Sequence, residues 1–575
     1  MKESILMRWR YWITLIPGLL LSINVNCQVN FLSPLKIPLL LSANFGELRA
    51  DHYHSGMDIR TQGVTGKEVV AADSGYVYLI LVSPVGFGKA IFIRHPSGYS
   101  TVYGHLDSYA PEIEEYVKTQ QYKNKSFAIT IYPPVDRLPV ARGQLLGYSG
   151  NTGGSSGPHL HFEVRKSDSE KPVNPEKFNF QIGDNIRPVI ERLVVYPAGR
   201  NTSINGRYGK LFLGVTGSNG HYELQQQLSV NGSAGFGITS YDYMNDTPSR
   251  FGINSIELTI DSIRWFSYEV NEFSFYETRY INAHIDYEES VKRNIDIERL
   301  YVLPNDKLSL YRTFKNNGLF DFSDGKIHRV SITVKDGKGN SANLSFSVYP
   351  GINLKYILPR AADSSLIVMP FGKENTFTAN GVRLDIPAGA LYDTLFFRYS
   401  TTEGNDHLFS HVYHIHDRFT PVQKQITLSI RPDSVPKGME SKLLLVQIDE
   451  KGLITSAGGK FANGYVTATL FSLGNYAVGI DTVPPSINAN GLNSNPDYTG
   501  KSEIRIKIKD DLSGIKSYEG LIDGQWALFE YDAKNDVILY KFDHRRLTKG
   551  IKHTLTIRVT DNCDNMNTFT REFFW

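Results

Sequence analysis

Gly157-Pro158-His159-Leu160-His161-Phe162-Glu163 places two histidines two residues apart in a run that reads as a strand. Side chains on a strand alternate between faces, so His159 and His161 point the same way. One of them can bind a metal while the other stands beside a bound water. The preceding residues, Gly147-Tyr148-Ser149-Gly150-Asn151-Thr152-Gly153-Gly154-Ser155-Ser156, form a glycine-rich loop that can bring backbone close to a ligand. Two stretches further upstream extend the pattern: His54-Ser55-Gly56-Met57-Asp58 and Tyr103-Gly104-His105. Gly56 suits a strand end followed by a tight turn. Ala90–Arg94 and Thr101–Tyr103 alternate as the two arms of a hairpin that delivers His105.

A catalytic zinc takes three protein ligands from His, Asp, Glu or Cys and keeps a fourth position for water. The bound water is acidified towards neutral pH. On this reading His54, Asp58 and His161 hold one Zn²⁺ per chain. His105 and His159 are left for the water and the developing oxyanion, the two tasks hydrolysis needs beyond the metal. Any one of the three stretches alone is ordinary core or surface chemistry; their conjunction predicts an enzyme.

From about residue 39 to 164 the chain resembles the lysostaphin/LytM-type zinc metallopeptidases. Their pattern is His-x-x-x-Asp, then Tyr-Gly-His, then Ser-Gly-x-Thr-Gly-x-Ser-x-Gly-Pro-His-Leu-His-Phe-Glu, and each part is matched here. The resemblance implies a β-rich groove on an antiparallel sheet, with His54, Asp58 and His161 as zinc ligands and His105 and His159 as the catalytic pair. It implies peptidoglycan as substrate, cut in its stems or cross-links: between D-alanine and meso-diaminopimelate in a Gram-negative envelope, or in a glycine bridge in a Gram-positive wall. Family members that have lost ligands activate other wall enzymes; no ligand is missing here. Gly66–Val77 is similar to the family's first core hairpin. One departure is an insertion over residues 108–139. Ile113, Tyr116, Val117 and Gln120 in it are spaced for an amphipathic helix near Pro111–Lys123. Phe127–Ile131 alternates as a strand, ended by Pro133-Pro134. The insertion reads as a packed surface excursion or as a wall of the substrate groove.

The chain has 575 residues, too many for one hydrophobic core. With 61 basic and 59 acidic side chains its net charge is +2, so it carries no signal for a nucleic-acid partner. Its 33 Tyr and 31 Phe favour strands. The expected fold class is all-β: a LytM-like antiparallel β peptidase domain followed by about three β-sandwich-like domains. Residues 1–27 read as a signal peptide. Lys2, Arg8 and Arg10 precede the apolar run Ile13–Ile23, and Val25 and Cys27 sit before a cleavage at Gln28. That run is short of the roughly 20 residues of a membrane span, and no other stretch could cross a bilayer. The expectation is export to the periplasm or cell surface without a transmembrane segment in the mature chain. A lipoprotein acylated at Cys27 is the second reading, which Asn24 and Asn26 serve poorly. Cleavage there leaves Cys563 alone, so no intramolecular disulfide is expected.

The predicted domains are the peptidase over 28–185, immunoglobulin-like sandwiches over 186–350 and 483–575, and a ZU5-like β-domain over 351–480. The two sandwiches are suggested by a repeat. Gly325, His328, Asp336 and Asn340 recur at Gly550, His553, Asp561 and Asn565. Asp481–Pro485 reads as a linker, and Val382–Leu391 carries the ZU5-like resemblance. His414 and His416 would share a strand face; a second metal site there has no supporting pattern, and a solvated face is the better reading. Three functions are open: a secreted zinc endopeptidase acting on peptidoglycan, a non-hydrolytic wall-binding or activating protein on the same fold, and a surface structural protein. The tail is expected to tether the enzyme to its polymer, with a cover over the groove as the alternative. A truncation near Arg192 is expected to isolate the peptidase.

Overall fold

A computed structural model describes residues 29–199, 201–353 and 366–575. The predicted signal peptide, with Cys27, lies outside the described residues. About 47 % of the described residues are strand and 9 % helix, in line with the all-β expectation.

The first unit is built from β1 (Leu41–Ala43), β2 (Met57–Arg60), β3 (Glu68–Val70), β4 (Gly75–Val82), β5 (Lys89–Arg94) and β6 (Tyr99–Tyr109). Helix α1 (Pro111–Asn124) follows, then β7 (Ile129–Ile131), β8 (Pro139–Val140), β9 (Leu145–Ser149), β10 (His159–Lys166) and β11 (Pro172–Val173). The sheet runs β1-β2-β10-β6-β5-β4-β7, antiparallel throughout, with the short strands pairing at its sides. The β5–β6 hairpin forms as expected, Ile93 facing Thr101. The hairpin expected over Gly66–Val77 does not. Three-residue β3 pairs with β9, while β4 is long enough to pair β5 along one edge and β7 and β8 along the other. Helix α1 starts on Pro111, whose missing N–H costs nothing in the first turn. Ile113, Val117 and Gln121 face inward. Gln120, expected on that face, is half-buried, because one turn after Val117 falls on Gln121. Gln121 gives its amide to the Phe127 carbonyl at 2.7 Å.

Among the described residues, the remaining chain forms three further large cores. One gathers Ile190 to Val348 around a fourteen-stranded sheet in which His221–Leu224 and Leu228–Asn231 both run parallel to Ser341–Pro350. Another spans Met369 to Val478 between two five-stranded sheets. The last spans Ala489 to Trp575 between two four-stranded sheets. Contacts join each unit to the next and the last to the first. Asn305 donates to the Gly389 and Leu391 carbonyls, and Lys442 to the Cys563 carbonyl at 2.8 Å. Trp526 packs edge-on against Tyr122 of α1, with ring centroids 5.1 Å apart.

The junction of the first two units is interleaved. Phe45 and Tyr53 belong to the first unit by sequence but are buried in the second core, both against Phe273. In return Met244 and Phe251 enter the core of the first unit. A Cβ at Gly46 would lie 2.5 Å from Val270, so the loop passes there only as glycine.

Candidate metal centre

Asp58, His161 and Gly104 lie side by side on adjacent strands: His161 is the register partner of Asp58 on β2 and of Gly104 on β6. The alternation of β10 puts His159 on the same face as His161. His105 reaches that face through a bulge. Lys89 faces Leu106 and Ile91 faces Tyr103, so β6 holds one more residue than β5 across the same span. His105 adopts φ +59° at this bulge. His54 comes from the loop before β2.

The five residues converge. His54 Nε2 and His161 Nδ1 are 3.1 Å apart, and Asp58 Oδ1 lies 2.9 Å from His161 Nδ1 and 3.2 Å from His54 Nε2. These three residues could hold a metal ion: their ligand atoms all lie within 4.8 Å of one another. His159 Nε2 is 3.4 Å from the same Asp58 oxygen, and the His105 ring centroid is 4.7 Å from that of His159.

Each ring's orientation is fixed from behind. His54 Nδ1 donates to the Asn44 carbonyl at 2.7 Å and His161 Nε2 to the Glu163 carboxylate at 2.8 Å. His159 Nδ1 donates to the Gly157 carbonyl and His105 Nδ1 to the Thr152 carbonyl, both at 2.8 Å. Carbonyls and carboxylates only accept, so those nitrogens carry the hydrogens. The opposite nitrogens are left as lone pairs. Those of His54, His159 and His161 meet the Asp58 carboxylate, a cluster of acceptors that a cation satisfies. The donor set of two imidazoles and a carboxylate fits zinc, and the hydrogen-bonded shell behind it is the usual support for such ligands.

The electrostatics follow. Burial opposes charge on Asp58, but His54, His159 and His161 hold its carboxyl well below the usual range. Burial pushes His54 down, against Asp58. Burial also disfavours charge on His161, yet Asp58 and Glu163 outweigh it and raise the ring to about 9, a proton taking the place a cation would fill. His105 is driven down to about 3 by burial and by the neighbouring His161 and His159, so it is neutral at ordinary pH.

Several residues here were not assigned from sequence. Glu163 is fully buried, bound by Ser55 Oγ at 2.6 Å and by Arg165 Nε at 2.6 Å. Arg165 and His161 hold it at about 2 against the opposing effect of burial. It stands in the quoted motif, two residues after His161, and the strand period could have found it. Asn44 and Thr152 act through backbone carbonyls, which no side-chain pattern marks. Gly153 (φ +69°) packs so closely that a Cβ would lie 2.3 Å from the Gly88 nitrogen. Away from this centre, His414 bonds Asn475 at 2.7 Å and Thr402 at 3.1 Å, and His416 pairs with Asp417.

The fourth unit reaches the glycine-rich loop. Lys534 donates to the carbonyls of Asn151 and Ser155, the latter at 2.9 Å, and Glu530 pairs with buried Lys89 at 2.9 Å. The inserted helix meets the same unit through Lys118–Asp543, Glu115–Arg545 and Arg546 over the Tyr122 ring. The insertion thus serves as a docking face for the C-terminal unit.

Residues 52–122 and 136–175 match the model of peptidase family M23, and residues 367–481 match the Zu5-like domain. The first match breaks inside the insertion. The chain is 34 % identical over 90 residues to the DD-carboxypeptidase/endopeptidase Mpg of Neisseria meningitidis serogroup B, covering 16 % of this chain and 15 % of that protein. It is 30 % identical over 133 residues to the peptidoglycan DD-endopeptidase ShyA of Vibrio cholerae, covering 23 % of this chain and 24 % of that one. The matches therefore span about a quarter or less of these curated relatives. Among solved structures, the catalytic domain of the prophage-encoded M23 protein EnpA from Enterococcus faecalis is 24 % identical, with a TM-score of 0.19, over 25 % of this chain and 92 % of that one. Lysostaphin's catalytic domain from Staphylococcus simulans is 24 % identical, with a TM-score of 0.17, over 22 % of this chain and 80 % of that one.

Proposed function

We propose, for a chain whose residues 52–122 and 136–175 form a peptidase family M23 domain, that it is an exported zinc endopeptidase cutting peptide cross-links or stems of peptidoglycan. The observation that carries this reading is the convergence of His54, Asp58 and His161 on one point with their remaining ring nitrogens committed as donors elsewhere. The named peptidoglycan enzymes among its relatives support the substrate class.

His54 Nε2, Asp58 Oδ1 and His161 Nδ1 would hold the zinc. Bound there, zinc supplies Lewis-acid activation of water and of the scissile carbonyl at neutral pH. The chain's own residues do the rest. Neutral His105 offers its Nε2 lone pair to the proton of the attacking water and returns that proton to the leaving amine. His159, whose Nε2 stands 3.4 Å from Asp58 Oδ1, is placed to hydrogen-bond to the developing oxyanion once that nitrogen takes up a proton. The Thr152 and Gly157 carbonyls keep both rings turned for these tasks, and both belong to the loop that Lys534 pins from the fourth unit.

The immunoglobulin-like and ZU5-like units are read as a scaffold that tethers the enzyme to its polymer. Lys534 ends on backbone carbonyls of the loop, which favours support of the site over a plug in it. Incubation of the zinc-loaded full chain with purified sacculi, followed by mass spectrometry of released muropeptides, tests the activity. New free peptide termini support it. Zinc-bound protein that releases none favours a non-hydrolytic wall-binding role.

A further inference from the structure

A second cluster of side chains close enough to hold a metal ion lies where the first unit meets the second. Asp184, Asp242 and Asp336 bring one oxygen each within 4.8 Å of one another. Asp242 has 0 % exposure, and neither of its carboxylate oxygens has a hydrogen-bond partner. Glu176, from outside that trio, is 8 % exposed and leaves Oε1 unpartnered. Its Oε2 lies where a Cβ on Gly337, the residue after Asp336, would come within 1.5 Å. Asp184 Oδ2 is unpartnered as well. Among the described residues no Lys, Arg or His forms an ion pair with any of the four. Lys338 acts on Glu176 and Asp184 from a distance without pairing with either, so the buried carboxylates crowd one another largely uncompensated, which is costly.

The fourth unit supplies an internal comparison. Asp184-Asn185-Ile186-Arg187-Pro188 recurs as Asp481-Thr482-Val483-Pro484-Pro485, Gly252-Ile253-Asn254-Ser255 as Gly514-Ile515-Lys516-Ser517, and Asp336 with Asn340 as Asp561 with Asn565. The bonds recur too. Asp184 accepts from the Ile186 amide and Asp481 from the Val483 amide. Asp336 accepts from the Lys338 and Asn340 amides, and Asp561 from those of Cys563 and Asn565. The counterpart trio Asp481, Asp510 and Asp561 is equally close. There, however, Asp510 accepts from the Leu512 amide at 3.1 Å and the Gly514 amide at 2.6 Å. Asp242, its counterpart, has no such donors. The two copies share their carboxylates and two of their donor sets and differ at Asp242, whose oxygens find no donor.

We propose that Glu176, Asp184, Asp242 and Asp336 hold a calcium ion that staples the peptidase domain to the second unit. An all-oxygen donor set suits a hard cation rather than zinc. Calcium takes six to eight oxygens in flexible geometry, completing its shell with carbonyls and water. Half-buried Asp184 gives the ion its approach from solvent. The placement has a consequence for the metal centre. Asp242 pairs in register with Phe251, one residue before the Gly252 that holds Asn44 and so His54.

The test uses the full chain in calcium-free buffer with zinc present, followed by melting and by calorimetric titration with CaCl2, with MgCl2 in parallel. The variants are Asp242→Asn, Asp184→Asn and Asp510→Asn. Wild type and Asp510→Asn should bind calcium in preference to magnesium and melt at higher temperature as CaCl2 is added. Asp242→Asn and Asp184→Asn should lose at least tenfold in calcium affinity. Without calcium, Asp242→Asn should melt no lower than wild type, because it removes a repelling charge; should it fail to fold, the more exposed Asp184→Asn carries the comparison. A wild-type melting temperature unmoved by millimolar CaCl2 overturns the proposal. So does a calcium response that survives in both Asp242→Asn and Asp184→Asn.

Discussion

Asn44 and Gly252 exchange two hydrogen bonds across the joint between the first two units, amide to carbonyl at 2.7 Å and backbone N–H to side-chain oxygen at 3.0 Å. The Asn44 carbonyl holds His54 Nδ1. The orientation of one candidate metal ligand is therefore set by a residue nearly two hundred positions downstream.

A truncation ending near Arg192, expected from sequence to isolate the peptidase, should instead damage it. It exposes Phe45 and Tyr53, whose burial contributes roughly 1.5–3 kcal/mol each, and frees the loop that carries His54. The shortened protein should bind less than one zinc per chain and aggregate more than the full chain. A truncated protein with full zinc occupancy and unchanged melting would remove His54 from the second unit's control. Asn44→Ala in the full chain, deleting only the Gly252 pair, should cost about 1–3 kcal/mol.

Replacing His105 or His159 by Ala should leave zinc bound and lower turnover about a hundred- to ten-thousand-fold, the usual worth of a positioned acid or base. Metal analysis beside a muropeptide assay checks both halves. Loss of zinc from His159→Ala would exchange its role with that of His161, since both rings reach Asp58.

Glu163→Gln keeps the shape behind His161 but weakens the acceptor that commits Nε2 as donor. Zinc affinity should fall about ten- to a hundredfold, as for other residues that orient metal ligands. The change also leaves Arg165 without its buried partner, so a melting curve must accompany the competition titration. Unchanged affinity in a folded variant would show that strand geometry alone orients the ring.

The pair Lys89–Glu530 gives docking of the C-terminal unit a pH dependence. Burial opposes charge on Glu530, but Lys89 and Lys541 hold its pKa below the ordinary 4.5. Its contribution is thus complete above that value and lost as pH falls through the lowered one. Glu530→Gln leaves Lys89 buried without its partner and should cost on the order of 3 kcal/mol at neutral pH. The difference from wild type in urea midpoint should shrink steadily below pH 4.5. A difference of equal size at pH 3 and pH 7 would exclude this pair as its origin.

The site was more legible in the sequence than the assembly that supports it. His159 and His161 share a face because a strand has period two, and Asp58 lies beside His161 because β2 and β10 pair in register. Phe45 and Tyr53 look like any apolar residues near a core; local pattern does not say which core. The pairing of β3 with β9 joins segments separated by most of the domain, and the Gly66–Val77 hairpin was the nearer and wrong choice. The repeat that linked Asp336 to Asp561 was visible, but the unpartnered Asp242 emerges only when Asp184 and Asp336 are brought to it in space.

His54, Asp58 and His161 are proposed to make a hydrolytic zinc centre for peptidoglycan. The most direct measurement is mass spectrometry of muropeptides released from purified sacculi by the zinc-loaded full chain, beside a folded His161→Ala variant. New free peptide termini are expected from the wild type and none from the variant. Equal release by both, or no release by a wild type carrying one zinc per chain, would contradict it.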